Sequence, residues 1–155
     1  MSLLHGLRLR FAPPRISDPD FGPLLFMYIP KFPQRSYWEC EWTFPVTNTV
    51  ISIGIPGTEA GPDPEARQFF LALPHRFERI IAACRTPLQE VWLSCFQRDL
   101  PHDIFSVMKL GGFGLEDPKA RPVQWDAGFE TTGDKWLGIT VPFLDDIAQH
   151  AVVDT

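Results

Sequence analysis

Two glutamates, Glu39 and Glu41, alternate with tryptophans in the run RSYWECEWTF, residues 35–44. In an extended chain their backbone positions lie about 6.7 Å apart. Two long side chains can then bring the carboxylates to the separations of roughly 5–9.5 Å that glycoside hydrolysis uses. A second acidic alternation, Asp126 and Glu130, occurs in PVQWDAGFE, residues 122–130. Such residues support a carboxylate pair acting as acid and base, with or without a divalent metal. They equally support an acidic surface that captures a basic partner, or simply a solvated strand face. Trp136, in KWLGITVPF, is out of phase with Leu137, Ile139, Val141 and Phe143. It is therefore a candidate exposed aromatic beside the acids, and Trp is enriched among interface hot spots.

The other reactive residues are dispersed. His5, His75, His102 and His150 are scattered. In a helical tail Asp146 and His150 would stand one turn apart, but two ligands do not make a metal site. His102-Asp103 lacks a nearby nucleophile or a Gly-x-Ser-x-Gly elbow. The GGFG of residues 111–114 lacks the lysine and serine of a phosphate loop, and its glycines are expected in a bulge or turn. Cys40, Cys84 and Cys95 are odd in number and contain no CxxC pair. Reduced, buried thiols are the main expectation, with a Cys84–Cys95 bridge as the alternative. No catalytic residue, metal ligand or cofactor is assigned from these patterns.

The elements that position the acids are strands. Side chains alternate across a strand, so Trp38, Cys40, Trp42 and Phe44 share one face, and Tyr37, Glu39, Glu41 and Thr43 the other. Residues 49–55 alternate again, with Thr49, Ile51, Ile53 and Ile55 in phase, so the two runs form a hairpin. Val123, Trp125, Ala127 and Phe129 likewise oppose Gln124, Asp126, Gly128 and Glu130, and KWLGITVPF completes a second hairpin. The two share a plan of Trp, acid, small residue, any residue, aromatic, polar turn and alternating aliphatics ending in Pro. If both lie in one curved sheet, the four acids can form one patch.

Between the hairpins the period lengthens to three or four, through Phe70, Leu73, Phe77, Ile80, Cys84 and Leu88, which is helical. Asp63-Pro64 is a capped start, Pro74 breaks the run, and Thr86-Pro87-Leu88-Gln89 has capping-box spacing. Three short helices are expected near 64–73, 75–84 and 87–97. Strands are also expected near Leu7–Phe11, over the apolar run 24–29, and within DIFSVMKL (103–110), ended there by Gly111, Gly112 and Gly114. The tail, LDDIAQHAVVDT, reads as a helical turn or a last short strand.

The 155 residues, 45% hydrophobic and 21% charged, fit one folded domain over 1–155. Sixteen prolines are about twice the usual 5% share and imply short, sharply bounded elements. A formal charge of −5 argues against nucleic acid, whose capture needs Lys and Arg on phosphates. No stretch approaches the roughly 20 apolar residues of a membrane span. MSLLHGLRLRF lacks the apolar core of a secretion signal, so a cytoplasmic protein is expected.

The succession DPDFGPLLF, YWECEW, an amphipathic helical middle and VQWDAGFE resembles a group of small uncharacterised bacterial α+β domains. These open on an FG-L segment and carry a W-x-x-x-W strand. Cys40 and Glu41 stand where many of its members have smaller or glycine-like residues. The resemblance implies a cytoplasmic α+β domain without established catalysis, sometimes found near toxin and immunity systems.

The expected architecture is α+β: a twisted, mainly antiparallel sheet of two or more hairpins with about three short helices on one face. The leading functional expectation is a non-enzymatic interaction domain, of immunity type, that binds a basic protein partner through Glu39, Glu41, Asp126, Glu130 and Trp136. The rival is a small hydrolase using the same carboxylates. A homodimer joined edge to edge is a third reading.

Overall fold

The computed structural model describes residues 3–154. Residues Tyr37–Phe44 (β3) and Thr49–Thr58 (β4) form the first hairpin, with Trp38 opposite Ile55, Cys40 opposite Ile53 and Trp42 opposite Ile51. Its turn closes through Asn48, which takes a left-handed φ of 52°, a conformation Asn tolerates better than most residues. Gln124–Thr131 (β7) and Gly138–Leu144 (β8) form the second, with Trp125 opposite Phe143 and Phe129 opposite Ile139. Its loop is pinned by Thr131, whose hydroxyl donates to the Lys135 carbonyl and accepts from the Leu137 N–H, both at 2.7 Å.

Both hairpins belong to one ten-stranded sheet. Met108–Leu115 (β6) joins them, running parallel to β4 and antiparallel to β7. Arg15–Asp18 (β1) and Gly22–Met27 (β2) extend the sheet beyond β3, and Val152–Asp154 (β10) extends it beyond β8. The short pairs Gly61–Pro62 (β5) and Ile147–Ala148 (β9) attach to β4 and β8. A parallel pair needs a long crossover. That crossover carries the helices Pro64–Ala72 (α2) and Phe77–Phe96 (α3).

The helices supply one wall of the core and the sheet the other. Trp38, Phe44, Ile53, Trp125, Phe129 and Val141 face Phe70, Ile80, Cys84, Leu88 and Trp92 in a single buried cluster. The indoles of Trp38 and Trp125 are satisfied within it, donating to the carbonyls of Thr58 at 2.9 Å and Asp145 at 2.6 Å. α2 starts as its residues require: Asp63 accepts from the N–H groups of Glu65 and Ala66, and Pro64 occupies the first turn.

Several expectations are corrected. Leu7–Phe11 is not a strand but part of a helix, Leu3–Phe11 (α1). His5 and Arg8, three residues apart, both reach Glu59, as residues at that spacing on one helical face can. The middle holds two α-helices rather than three, linked by a 3-10 turn over Leu73–Arg76 that contains Pro74. Pro87 lies inside α3 and opens no helix. A proline there costs about 3 kcal/mol. The buried stripe nevertheless continues past it through Leu88 and Trp92, and burying Leu88 alone is worth roughly 1.5–3 kcal/mol.

The glycines at 111, 112 and 114 do not end β6. The strand runs through them, with a bulge between Leu110 and Gly112. Of the two readings for the tail after β8 the strand holds, as β9 and β10, so Asp146 and His150 do not share a helical face. Asp146 pairs with Arg76 and His150 with Glu90 instead. The three cysteines are free. Cys84 and Cys95 sit on one continuous helix, separated by a rise of about 16 Å, far beyond disulfide reach. No helix among the described residues is long and apolar enough to cross a membrane.

Candidate functional site

The strand phase that buries Trp38, Cys40 and Trp42 turns Glu39 and Glu41 to the opposite face, where both are exposed. Register carries that face across the sheet. One row runs Arg15, Leu25, Glu39, Gly54, Gly114, Asp126, Pro142. The next runs Glu41, Ser52, Gly112, Gly128, Thr140. The face therefore carries acids toward its flanks and glycine backbone across its middle strands.

A concavity of about 680 Å³ lies on this face, and Arg15, Leu25, Glu39, Glu41, Ser52, Lys109 and Glu130 are among the residues that line it. Glu39, Glu41 and Glu130 thus meet one open space from two hairpins. Glu130 is paired with Lys109 at 2.9 Å. The carboxylates of Glu39 and Glu41 have no hydrogen-bond or ion-pair partner among the described residues. Trp136 is 56% exposed. Its ring lies over Gly138, 3.4 Å from where a Cβ would stand, and Gly138 is the register partner of Glu130.

Asp126 shares the face but not the concavity. It is half-buried in the row of Glu39, three strand spacings away, or about 14 Å. Burial pushes its carboxyl up, a hydrogen bond from the Gly114 backbone opposes this, and the charge of Glu116 adds to the rise. Toward the other end of the face, Tyr37 lays its ring over Gly54, 3.0 Å from a would-be Cβ. Burial, with the charge of Glu39, raises the Tyr37 phenol. Tyr37 and Gly54 line a second concavity of about 700 Å³ together with Phe32, Arg35, Glu116 and Lys119.

Chemically, the first concavity offers three carboxylates against two cations, one of them already committed. No group of three or more His, Cys, Asp or Glu side chains suited to a metal ion exists among the described residues. The buried thiols are poor nucleophiles, because burial pushes Cys40 up to about 11 and Cys84 up to about 12. The arrangement suits capture of a cation-bearing ligand along an open surface.

No family model, curated protein or solved structure compared with the chain matches it. The site therefore rests on its own geometry.

Sequence patterning missed Arg15 and Lys109. Lys109 was within reach of it, since it lies between the inward-facing Met108 and Leu110 of β6. It also missed the paired contact of Arg67 with Asp18, two hydrogen bonds of 2.9 Å. That pair joins α2 to the end of β1, and no local spacing signals it.

Proposed function

We propose that this chain is a protein-interaction domain whose open sheet face binds a basic, extended segment of a partner, as an immunity-type protein would bind a basic toxin. The observation that carries this reading is the pair Glu39 and Glu41, exposed, unpartnered and lining a wide concavity. Unpaired carboxylates on an open surface speed and orient the capture of cationic partners. The exposed indole of Trp136 beside Glu130 supplies the aromatic anchor that interfaces favour.

The hydrolase reading draws less support. It calls for the four carboxylates to meet around one space, and Asp126 lies outside the lining that Glu39, Glu41 and Glu130 share.

The test is capture of partners on immobilised protein, followed by rebinding of the purified partner to the wild type and to the Glu39→Lys/Glu41→Lys variant. A basic partner that loses at least about tenfold in affinity, or about 1.4 kcal/mol, on charge reversal supports the reading. Equal affinity for both proteins rejects this face as the site.

A further inference from the structure

Away from the acidic face, a cavity of about 180 Å³ opens between the start of α3 and the β7–β8 hairpin. Its lining is Arg76, Arg79, Ile80, Trp125, Phe143 and Asp146. We propose that this cavity binds a small organic carboxylate, its acid group held by Arg76 and Arg79 and its apolar body against Trp125 and Phe143.

The wall is preformed. Trp125 and Phe143 are buried and stack with ring centroids 4.1 Å apart and planes 15° from parallel. The Arg76 guanidinium lies 5.1 Å from the Phe69 ring and 5.3 Å from the Trp125 ring, within cation–π range of both. An aromatic surface beside a guanidinium is an arrangement that holds a flat acid.

The charge balance calls for an anion. Arg76 donates to one acceptor, Asp146 Oδ1, through Nη1 at 3.0 Å. Its Nε–H is closed to solvent and has no acceptor, so recognition of a ligand falls to the Nη atoms and to Arg79. The Arg79 guanidinium has no hydrogen-bond or ion-pair partner among the described residues. The lining thus holds two guanidiniums and one carboxylate, and that carboxylate, paired with Arg76 alone among the described residues, is 71% exposed, a weak and movable counter-ion. Burial lowers the Arg76 pKa, Asp146 opposes this and Arg79 reinforces it. A second carboxylate would relieve that penalty through charge-assisted hydrogen bonds.

Size narrows the ligand class. The volume is below the roughly 300–1,000 Å³ of sites for drug-sized ligands, which is too little to enclose a nucleotide. The apolar walls favour an organic acid over a bare inorganic anion.

Benzoate, benzamide and inorganic phosphate are titrated in turn into the isotope-labelled protein while the indole N–H of Trp125 is followed by NMR. That indole donates to the Asp145 carbonyl, next to Asp146 of the cavity lining. Benzoate is expected to give a saturable shift, with benzamide and phosphate at least about tenfold weaker. Arg79→Gln, an exposed position, should lose about tenfold in benzoate affinity with its remaining spectrum unchanged. The Glu39→Lys/Glu41→Lys variant should bind benzoate as the wild type does, so this site and the acidic face stand or fall separately. Absence of a saturable benzoate shift, equal binding of benzamide or of phosphate, or an unaltered affinity in Arg79→Gln would each overturn the assignment.

Discussion

Gly112 of β6 faces Ser52 of β4 across the parallel junction of the sheet, and a Cβ on Gly112 would stand 2.1 Å from the Ser52 carbonyl oxygen. That oxygen is backbone and cannot rotate away. Gly112→Ala is therefore expected to destabilise the protein by about 1–3 kcal/mol, the usual cost of overpacking. Gly133, with nothing within 4 Å of its would-be Cβ, is the control. Gly133→Ala should change stability by no more than about 0.5 kcal/mol. Urea unfolding of the two variants checks both.

Asp18 gives the fold an acid-sensitive tie. Hydrogen bonds from Arg67 lead the causes that hold its carboxyl at about 2, against an ordinary 3.8. A carboxyl depressed in the folded state stabilises it above the unfolded pKa, and the gain is lost as pH falls through the folded value. Asp18→Asn should therefore be less stable than the wild type at neutral pH. The gap should narrow as pH falls from 3.8 toward about 2. Stability curves collected at several pH values check it, and a gap independent of pH would remove Asp18 as its source.

The two hairpins were legible because strand phase is local: Trp38, Cys40 and Trp42 alternate with Glu39 and Glu41 within one run. The same phase placed Trp125, Ala127 and Phe129 inward. What sequence could not give was the parallel meeting of β4 and β6, which depends on residues 52 and 112 approaching across the whole helical crossover. Without it, the glycines of β6 read as a strand end rather than a passage past the Ser52 carbonyl. Sheet order also decided the site. With β4 and β6 standing between β3 and β7, Glu130 still lines the concavity of Glu39 and Glu41, and Asp126 does not. Pro87 misled because the capping spacing is local, whereas the burial of Leu88 and Trp92 that keeps α3 continuous is tertiary.

Asp126 carries a second pH signature of opposite sign. Burial raises its carboxyl above 3.8, so the ionised form costs the folded state stability above the folded pKa. That cost is absent below the unfolded value. Asp126→Asn is expected to be more stable than the wild type at neutral pH, with the advantage fading as pH drops toward 3.8. Denaturant midpoints at neutral and acid pH decide it, and a variant less stable at neutral pH would show that the ionised carboxyl holds the Gly114 backbone more strongly than its burial costs.

Trp136 separates a binding role from a covering one. Its indole shields the backbone at Gly138, and aromatic cover of a strand glycine is a modest contribution, about 0.2–1 kcal/mol on the scale of cross-strand pairs. An exposed Trp that anchors a partner is worth more, about 2 kcal/mol or above on truncation. Trp136→Ala is therefore expected to lower stability by less than about 1 kcal/mol while weakening a basic partner by about thirtyfold. Unfolding and partner titration on the same preparation measure the two quantities. A loss of affinity no larger than the loss of stability would leave Trp136 as a cover for Gly138 and confine recognition to Glu39 and Glu41.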